Sequence, residues 1–189
     1  MSLSLKMLPN IVTLARIVAV VPLVWLMLIE SFGWAFIVAM IAGVSDALDG
    51  YLARRFSWQS HFGGWADPAA DKLLMSASYV TLAYLQVLPI WLSVLVIGKD
   101  VLIALGALAY RWLFGRFQAT PTRISKLTTL SQVILIWLVL IELIGFPIPG
   151  AWLVQLVWVV GGLTAVTLIQ YVVIWGRRAW VQRHQQGMA

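Results

Sequence analysis

The feature that most constrains the fold of this chain is a series of long apolar stretches separated by short breaks. Each stretch is close to the roughly 20 residues that an α-helix needs to cross the hydrocarbon core of a bilayer. The stretches cover residues 11–29, 33–54, 65–85, 88–112, 124–144 and 151–175. The breaks at 31–32, 86–87 and 145–150 are typical of tight turns. We therefore predict an all-α integral membrane protein, built as a bundle of six transmembrane helices.

Composition agrees with a membrane protein and limits the chemistry. Of the 189 residues, 62% are hydrophobic and 11% are charged, whereas soluble domains average about 45–50% apolar and about 25% charged residues. The length predicts a single membrane domain over residues 1–189. There is no cysteine and there are two histidines. Disulfides, thiolate metal sites and cysteine nucleophiles are therefore excluded, and any metal site would use oxygen ligands.

The positive charges predict an orientation rather than a nucleic-acid partner. Lysine and arginine lie before the first stretch, after the second, fourth and sixth, and not in the three opposite breaks. The positive-inside rule then places both termini and the basic loops in the cytoplasm. We expect the membrane to be a bacterial cytoplasmic (inner) membrane. The net charge of +6 needs no nucleic acid to explain it.

Four carboxylates lie where a membrane protein rarely places charge. Asp46 and Asp49 are three residues apart in the second stretch, and Asp67 and Asp71 are four apart in the third. Each pair falls on one face of a helix, and the faces of two antiparallel neighbours can meet near the cytoplasmic leaflet. Such an all-oxygen cluster suits Mg²⁺, Mn²⁺ or Ca²⁺, as one ion or as a pair. The simpler alternative is two unrelated pairs of charges at helix ends in the membrane interface.

Small residues accompany these carboxylates. Gly50 and Ala53 extend the face of the first pair, and Gly63 and Gly64 precede the second. A bare backbone lets a bulky ligand approach closely, and Arg54 on the same face can bind phosphate oxygens. The pattern predicts a pyrophosphate site at the cytoplasmic leaflet, suited to a substrate with lipid tails and a nucleotide head.

These residues resemble the signature of the CDP-alcohol phosphatidyltransferase family. All eight fixed positions of that signature are present at the matching spacing, namely Asp46, Asp49, Gly50, Ala53, Arg54, Gly63, Asp67 and Asp71. The similarity extends from the element at 9–16 to the residues at 125–128. It implies a six-helix membrane enzyme, commonly a homodimer, that transfers a phosphatidyl group from CDP-diacylglycerol to an alcohol and releases CMP.

The resemblance also implies roles for individual residues. Asp46, Asp49 and Asp67 would hold two divalent metal ions, either Mg²⁺ or Mn²⁺. Asp71 could contribute a further ligand. Asp71 would in addition be the catalytic general base for the acceptor hydroxyl. The CDP site would be lined by Gly50, Ala53, Arg54 and Gly63.

The acceptor is indicated by the fourth stretch. Phosphatidylglycerophosphate synthases of the family typically carry Arg-Glu there and an arginine eight residues later, whereas this chain has Lys99-Asp100 and then Ala107. The pattern is more similar to cardiolipin synthases, which use phosphatidylglycerol, and glycerol 3-phosphate remains the alternative acceptor. Candidate acceptor-binding residues are Lys99, Arg111 and Lys126. Lys99-Asp100 could instead be a structural ion pair, and Lys126 a topology charge.

A non-enzymatic alternative is an ion-coupled membrane transporter with the carboxylates along its pathway. Transporter sites usually lie near the midplane of the bilayer, between repeats and on broken helices. Here the carboxylates cluster toward one leaflet and no internal repeat is visible. These features favour the enzyme.

Overall fold

The computed structural model of the chain describes residues 8–56, 63–114 and 122–186, with side chains described at 13–45, 48, 69–109, 112 and 122–177. Within these ranges the protein is all-helical. Its six helices are α1 (Leu8–Leu28), α2 (Phe32–Phe56), α3 (Gly63–Tyr84), α4 (Ile90–Phe114), α5 (Arg123–Leu143) and α6 (Gly150–Gln186). Each helix coincides with one predicted apolar stretch, so the all-α class is confirmed.

Among the described residues, three segments are long and apolar enough to cross a membrane, which indicates a membrane protein. They are Ile90–Ala109 in α4, the whole of α5, and Gly150–Arg177 in α6. Shorter apolar segments occupy Thr13–Leu28 and Phe32–Ser45 in the first two helices. The third helix contains Asp67, Asp71 and Lys72, whose charges lower its hydropathy.

The last helix is longer than the sequence predicted. It runs to Gln186, whereas the apolar stretch ends at residue 175. Residues 176–186 are mostly polar, but they contain no proline and several good helix formers. Hydrophobicity therefore marked the end of the apolar segment and not the end of the helix.

The three predicted tight turns share one geometry. At the end of α1, Glu30 adopts a left-handed conformation with φ of 58°, and the amide of Ser31 donates to the carbonyl of Leu26 at 2.9 Å. This is a Schellman closure, which satisfies the last carbonyls of the helix. The ends of α3 and α5 repeat it with left-handed Gln86 and Gly145. Each closure turns the chain into the next helix within a few residues.

The chain divides into two compact units. The first comprises Met1–Ile90 and Ile136–Pro149. Within it α1 packs against both α2 and α3. The side chains of Leu23, Met27, Ala35, Tyr79 and Leu82 are completely buried and supply core from all three helices.

The exposed and buried side chains of the first helix indicate whether this unit is surrounded by water or by lipid. Its exposed residues are large and apolar, with Leu14, Val18 and Val21 exposed by 62%, 61% and 71%. Its buried residues include Thr13 and Arg16, exposed by 2% and 4%. A protein that buries an arginine and exposes leucine and valine has the polarity expected in lipid, where charged residues face the interior of the bundle.

The second unit comprises Trp91–Leu135 and Gly150–Ala189, and a buried polar seam joins α5 to α6 within it. Thr128 and Thr167 share a hydrogen bond of 2.7 Å between their hydroxyls. The amide of Gln132 donates to the hydroxyl of Thr164 at 3.0 Å. All four side chains are at most 1% exposed. Hydrogen bonds of this kind hold helices together where lipid gives no hydrophobic driving force.

Candidate functional site

The predicted carboxylates lie on the two helices expected to carry them. Asp46 and Asp49 belong to α2, and Asp67 and Asp71 belong to α3. The helical backbone puts the members of each pair on one face, because residues three or four apart are neighbours on a helix surface. Both helices pack against α1, so the first unit contains the whole signature.

Most side chains of the signature lie outside the described part of the structure. This holds for Asp46, Asp49, Gly50, Ala53, Arg54, Gly63 and Asp67, and also for Arg111 in α4. Their assignments to metal, CDP and acceptor binding stay predictions. Among the side chains that are described, no three histidine or acidic residues come together.

Asp71 is the one signature residue whose side chain is described, and it makes an ion pair. Its Oδ1 lies 3.0 Å from Nη1 of Arg16, and the two side chains are 39% and 3% exposed. The arginine is thus almost fully enclosed, while the carboxylate is partly exposed. This ion pair ties α1 to α3.

The role of Arg16 was missed in the sequence, although a signal was present. Arg16 is the one basic residue inside the first apolar stretch, at residues 11–29. An ionisable residue within a membrane helix is expensive and marks a functional site by default. Applied to position 16, that argument predicts a buried carboxylate partner on a neighbouring helix.

The second unit contains a buried charge pair. Lys99 Nζ lies 3.1 Å from Asp100 Oδ1, and the two side chains are 2% and 7% exposed. Burying either charge alone would be strongly unfavourable, so each requires the other. The predicted ion pair therefore exists, and its part in acceptor binding stays a prediction.

Lys126 lies at the opposite extreme of exposure, at the start of α5. Its side chain is exposed, and the helix start beneath it is firmly fixed. Thr122 caps the helix by accepting a hydrogen bond from the amide of Ser125 at 3.2 Å. The Thr122 hydroxyl in turn donates to Gln170 of α6 at 3.0 Å. Lys126 is thus an accessible cation on a well-anchored turn.

The donor set fits a hard divalent cation. Carboxylate oxygens are the ligands that Mg²⁺ and Mn²⁺ take, and the signature supplies them from two helices of one unit. The side chain of Asp71, the described member, is 39% exposed. The residues present therefore suit the metal that the signature implies.

Comparison with known proteins places this arrangement in a family. The profile of the CDP-alcohol phosphatidyltransferases matches residues 6–175, which includes the signature on α2 and α3 as well as Arg16. The matched region covers most of the chain and extends through five helices into α6.

Individual relatives carry two different names. A cardiolipin synthase (CMP-forming) of Streptomyces coelicolor is 39% identical over 101 residues, 50% of this chain and 47% of its own length. The corresponding rat protein is 37% identical over 68% of this chain and 48% of its own length. A CDP-diacylglycerol–glycerol-3-phosphate 3-phosphatidyltransferase of Bacillus subtilis is 30% identical over 74% of this chain and 82% of its own.

This chain spans about half the length of the two cardiolipin synthases. The family itself rests on the profile match across residues 6–175, on the Bacillus relative and on the complete signature. By these criteria the chain belongs to the CDP-alcohol phosphatidyltransferase family.

Proposed function

We propose that this protein is a phospholipid-synthesising enzyme that transfers a phosphatidyl group from CDP-diacylglycerol to an alcohol and releases CMP. The observation that carries the proposal is the complete carboxylate signature on α2 and α3. Its last member, Asp71, is half-exposed and oriented by a buried arginine. A partly exposed carboxylate that is held in place suits the role of a general base.

In the proposed reaction, the acceptor hydroxyl attacks the phosphorus that carries the diacylglycerol. A new oxygen–phosphorus bond forms, the bond to the CMP oxygen breaks, and Asp71 receives the hydroxyl proton. Asp46, Asp49 and Asp67 would hold one or two Mg²⁺ or Mn²⁺ ions, and bound metal would neutralise the charge on the pyrophosphate. Gly50, Ala53, Arg54 and Gly63 would line the CDP site.

For the acceptor we favour phosphatidylglycerol, which would give cardiolipin. Lys99 is already paired with Asp100. This position therefore offers less net positive charge than a site with two arginines, which would suit the phosphate dianion of glycerol 3-phosphate. The headgroup of phosphatidylglycerol is a phosphodiester with a single negative charge, and Lys99, Arg111 and Lys126 could bind it. Two relatives named cardiolipin synthase are 39% and 37% identical to this chain.

Glycerol 3-phosphate is the second candidate acceptor. The observation in its favour is the Bacillus relative, which aligns over 82% of its own length. That relative resembles this chain in extent, whereas the cardiolipin synthases are about twice as long as the aligned part. Both acceptors therefore enter the test.

We further propose the membrane arrangement. All six helices would span the bilayer as a single domain, with both termini and the carboxylates on the cytoplasmic side of a bacterial inner membrane and with a homodimer as the functional form. Three candidate spans and the apolar exposed face of α1 support it. The distribution of lysine and arginine supports the orientation.

The test is a competition between acceptors. Purified full-length protein receives CDP-diacylglycerol, Mn²⁺ or Mg²⁺, and equal concentrations of phosphatidylglycerol and glycerol 3-phosphate, and the lipid products are separated by thin-layer chromatography. Cardiolipin with CMP is the expected product. If phosphatidylglycerophosphate is the dominant product, phosphatidylglycerol is not the preferred acceptor, but the protein is still a phosphatidyltransferase. No CMP with either acceptor would reject the reaction class, and ion flux in proteoliposomes would then test the transporter alternative.

A further inference from the structure

An apolar groove lies along one side of α4, in the last part of the helix. Its volume is about 730 Å³, and it is lined by Leu105, Leu108, Ala109 and Trp112. All four side chains are exposed. Ala109 is the small residue among three large ones, so it forms the floor of the groove. In a membrane protein an exposed apolar groove of this kind faces lipid, and its occupant comes from the membrane.

The groove ends near a membrane surface. Trp112 is about 33 Å along the helix from Ile90, the first residue of α4. That distance is close to the hydrocarbon thickness of a bilayer, roughly 30 Å. The side chain of Trp112 is 87% exposed, and tryptophan is enriched at the interface between lipid and water. A lipid in this groove would therefore have its headgroup beside the end of α4.

The groove lies on the opposite side of α4 from the buried charge pair. Leu108 comes nine residues after Lys99, which is about two and a half helical turns. Position 111 is three residues after Leu108 and eleven after Asp100, so on the helix surface it lies between the groove and the buried side. Arg111, a predicted acceptor-binding residue, therefore belongs to a position at the edge of the groove.

Charge decides which lipid would be selected. Bulk acyl chains are as apolar as the groove, so there is no hydrophobic driving force for entry. The sequence has no acidic residue between Asp100 and Glu142, but this segment contains Arg111, Arg116, Arg123 and Lys126. All four cations belong to the second unit, as the groove does. An anionic headgroup complements this charge, and the groove would orient the chain attached to it.

We propose that the groove holds one acyl chain of the acceptor lipid, phosphatidylglycerol, with the phosphodiester at Arg111. This rests on the proposed function. An acyl chain spans one leaflet, or about 15 Å, and the groove extends about 10 Å along the helix. The groove and the predicted acceptor-binding residues belong to the second unit, whereas the predicted CDP-lining residues belong to the first. This division favours the acceptor over CDP-diacylglycerol as the occupant.

The first experiment measures lipid binding without turnover, through quenching of tryptophan fluorescence by lipids brominated in their acyl chains. Full-length protein is placed in phosphatidylcholine vesicles with a minor fraction of brominated phosphatidylglycerol or brominated phosphatidylcholine. The signal of Trp112 is the difference between wild type and Trp112→Phe. Phosphatidylglycerol should quench it about twofold to fivefold more strongly, as expected for an anionic lipid near a basic residue. Arg111→Gln should remove this preference.

The second experiment fills the groove and measures CMP release. Ala109→Phe should lower kcat/KM for long-chain phosphatidylglycerol by about fivefold to tenfold, because the acceptor loses its orientation. A short-chain phosphatidylglycerol does not reach along the groove, so its kcat/KM should change by less than about twofold. The matched control is Ala104→Phe, at an exposed alanine of the same helix outside the groove, and it should resemble wild type with both acceptors.

Four results would overturn the inference. Equal quenching of Trp112 by the two brominated lipids would mean that the groove holds bulk lipid, and quenching by neither would mean that a protein surface, such as a second copy, covers it. Displacement of brominated phosphatidylglycerol by CDP-diacylglycerol but not by unbrominated phosphatidylglycerol would assign the groove to the donor. An equal loss of rate with long-chain and short-chain acceptors in Ala109→Phe would show a general effect on the fold.

The two experiments remain separable from each other and from the proposed function. If Ala109→Phe does not fold, wild type and Trp112→Phe still decide the inference, because an exposed side chain is replaced there. Failure of wild type to release CMP would reject the proposed function and the role of the lipid as acceptor. The quenching would still decide whether the groove binds an anionic phospholipid.

Discussion

The indole ring of Trp175 in α6 lies directly against the backbone of Gly106 in α4, so closely that a Cβ at position 106 would overlap the ring. Glycine is therefore required there by contact and not by backbone conformation. Any larger side chain must displace the indole, which also packs edge-on against Tyr171 with ring centroids 5.9 Å apart.

Gly106→Ala should consequently destabilise the protein by about 1–3 kcal/mol, the usual cost of overpacking a well-packed contact. Gly98→Ala in the same helix is the control, since nothing lies within 4 Å of its Cβ position. There alanine should be neutral or stabilise by up to about 1 kcal/mol through its higher helix propensity. Thermal unfolding in detergent measures both. Equal melting temperatures for the two variants would contradict the contact.

Metal removal should abolish activity. Without a cation the carboxylates of α2 and α3 repel one another and leave the pyrophosphate charge unopposed. A chelator should stop CMP release, and Mg²⁺ or Mn²⁺ should restore it. Alanine at Asp46, Asp49 or Asp67 should raise the metal concentration needed for half-maximal rate. Full turnover in excess chelator is the result that this prediction forbids.

Asp71→Asn should lower kcat by about 100-fold or more, within the range contributed by a general base. The amide keeps the shape of the side chain but accepts no proton. Binding of a CDP nucleotide should persist, because the predicted CDP-lining residues are unchanged, and equilibrium dialysis with labelled nucleotide can measure it. A variant that turns over near the wild-type rate would remove Asp71 from the role of base.

Labelling of single introduced cysteines should establish the orientation. Cysteine at position 118 should react only with a membrane-impermeant reagent applied from the cytoplasmic side, and cysteine at Ser31 only from the other side. The chain contains no native cysteine, so the background is clean. The reverse pattern would place the carboxylates on the leaflet away from a cytoplasmic nucleotide.

Ala107→Arg should raise the use of glycerol 3-phosphate relative to phosphatidylglycerol. A phosphate dianion gains about 1.5–3 kcal/mol from an added charge-assisted hydrogen bond, which is more than tenfold in binding. Ala107→Leu is the control for side-chain size without charge. The ratio of the two products in the competition assay is the measurement. An unchanged ratio in Ala107→Arg would mean that other residues set the acceptor.

The helices and turns were predictable because a bilayer requires long apolar helical segments, which are easily recognised in the sequence. An apolar run of about 20 residues has few alternatives to a helix, and the breaks ending at Phe32, Val87 and Gly150 left room only for tight turns. The end of α6 was not predictable in this way. Past residue 175 the sequence is mostly polar, so its hydropathy does not indicate that the helix continues to Gln186.

The sequence predicts which residues form the candidate site, but it does not predict the pairing of Asp71 with Arg16. Spacing alone put Asp67 and Asp71 on one helix face, and α3 bears that out. Spacing could not reveal that Arg16, 55 positions earlier, reaches Asp71 at 3.0 Å. That contact depends on how α1 packs against α3, which is tertiary information. Lys99 and Asp100 show the converse, because adjacent opposite charges inside an apolar helix already indicate a pair.

The polar seam between α5 and α6 has a consequence for how the protein is made. Thr128 bonds to Thr167 and Gln132 bonds to Thr164 across the two helices, and the hydroxyls of Thr128 and Thr164 also donate to carbonyls of their own helices. A six-residue link, 144–149, is all that separates the two helices. If α5 left the translocon alone, Gln132 would enter lipid without its hydrogen bond to Thr164, and the presence of α6 removes that cost. The two helices should therefore leave the translocon together as a hairpin, with the seam already closed.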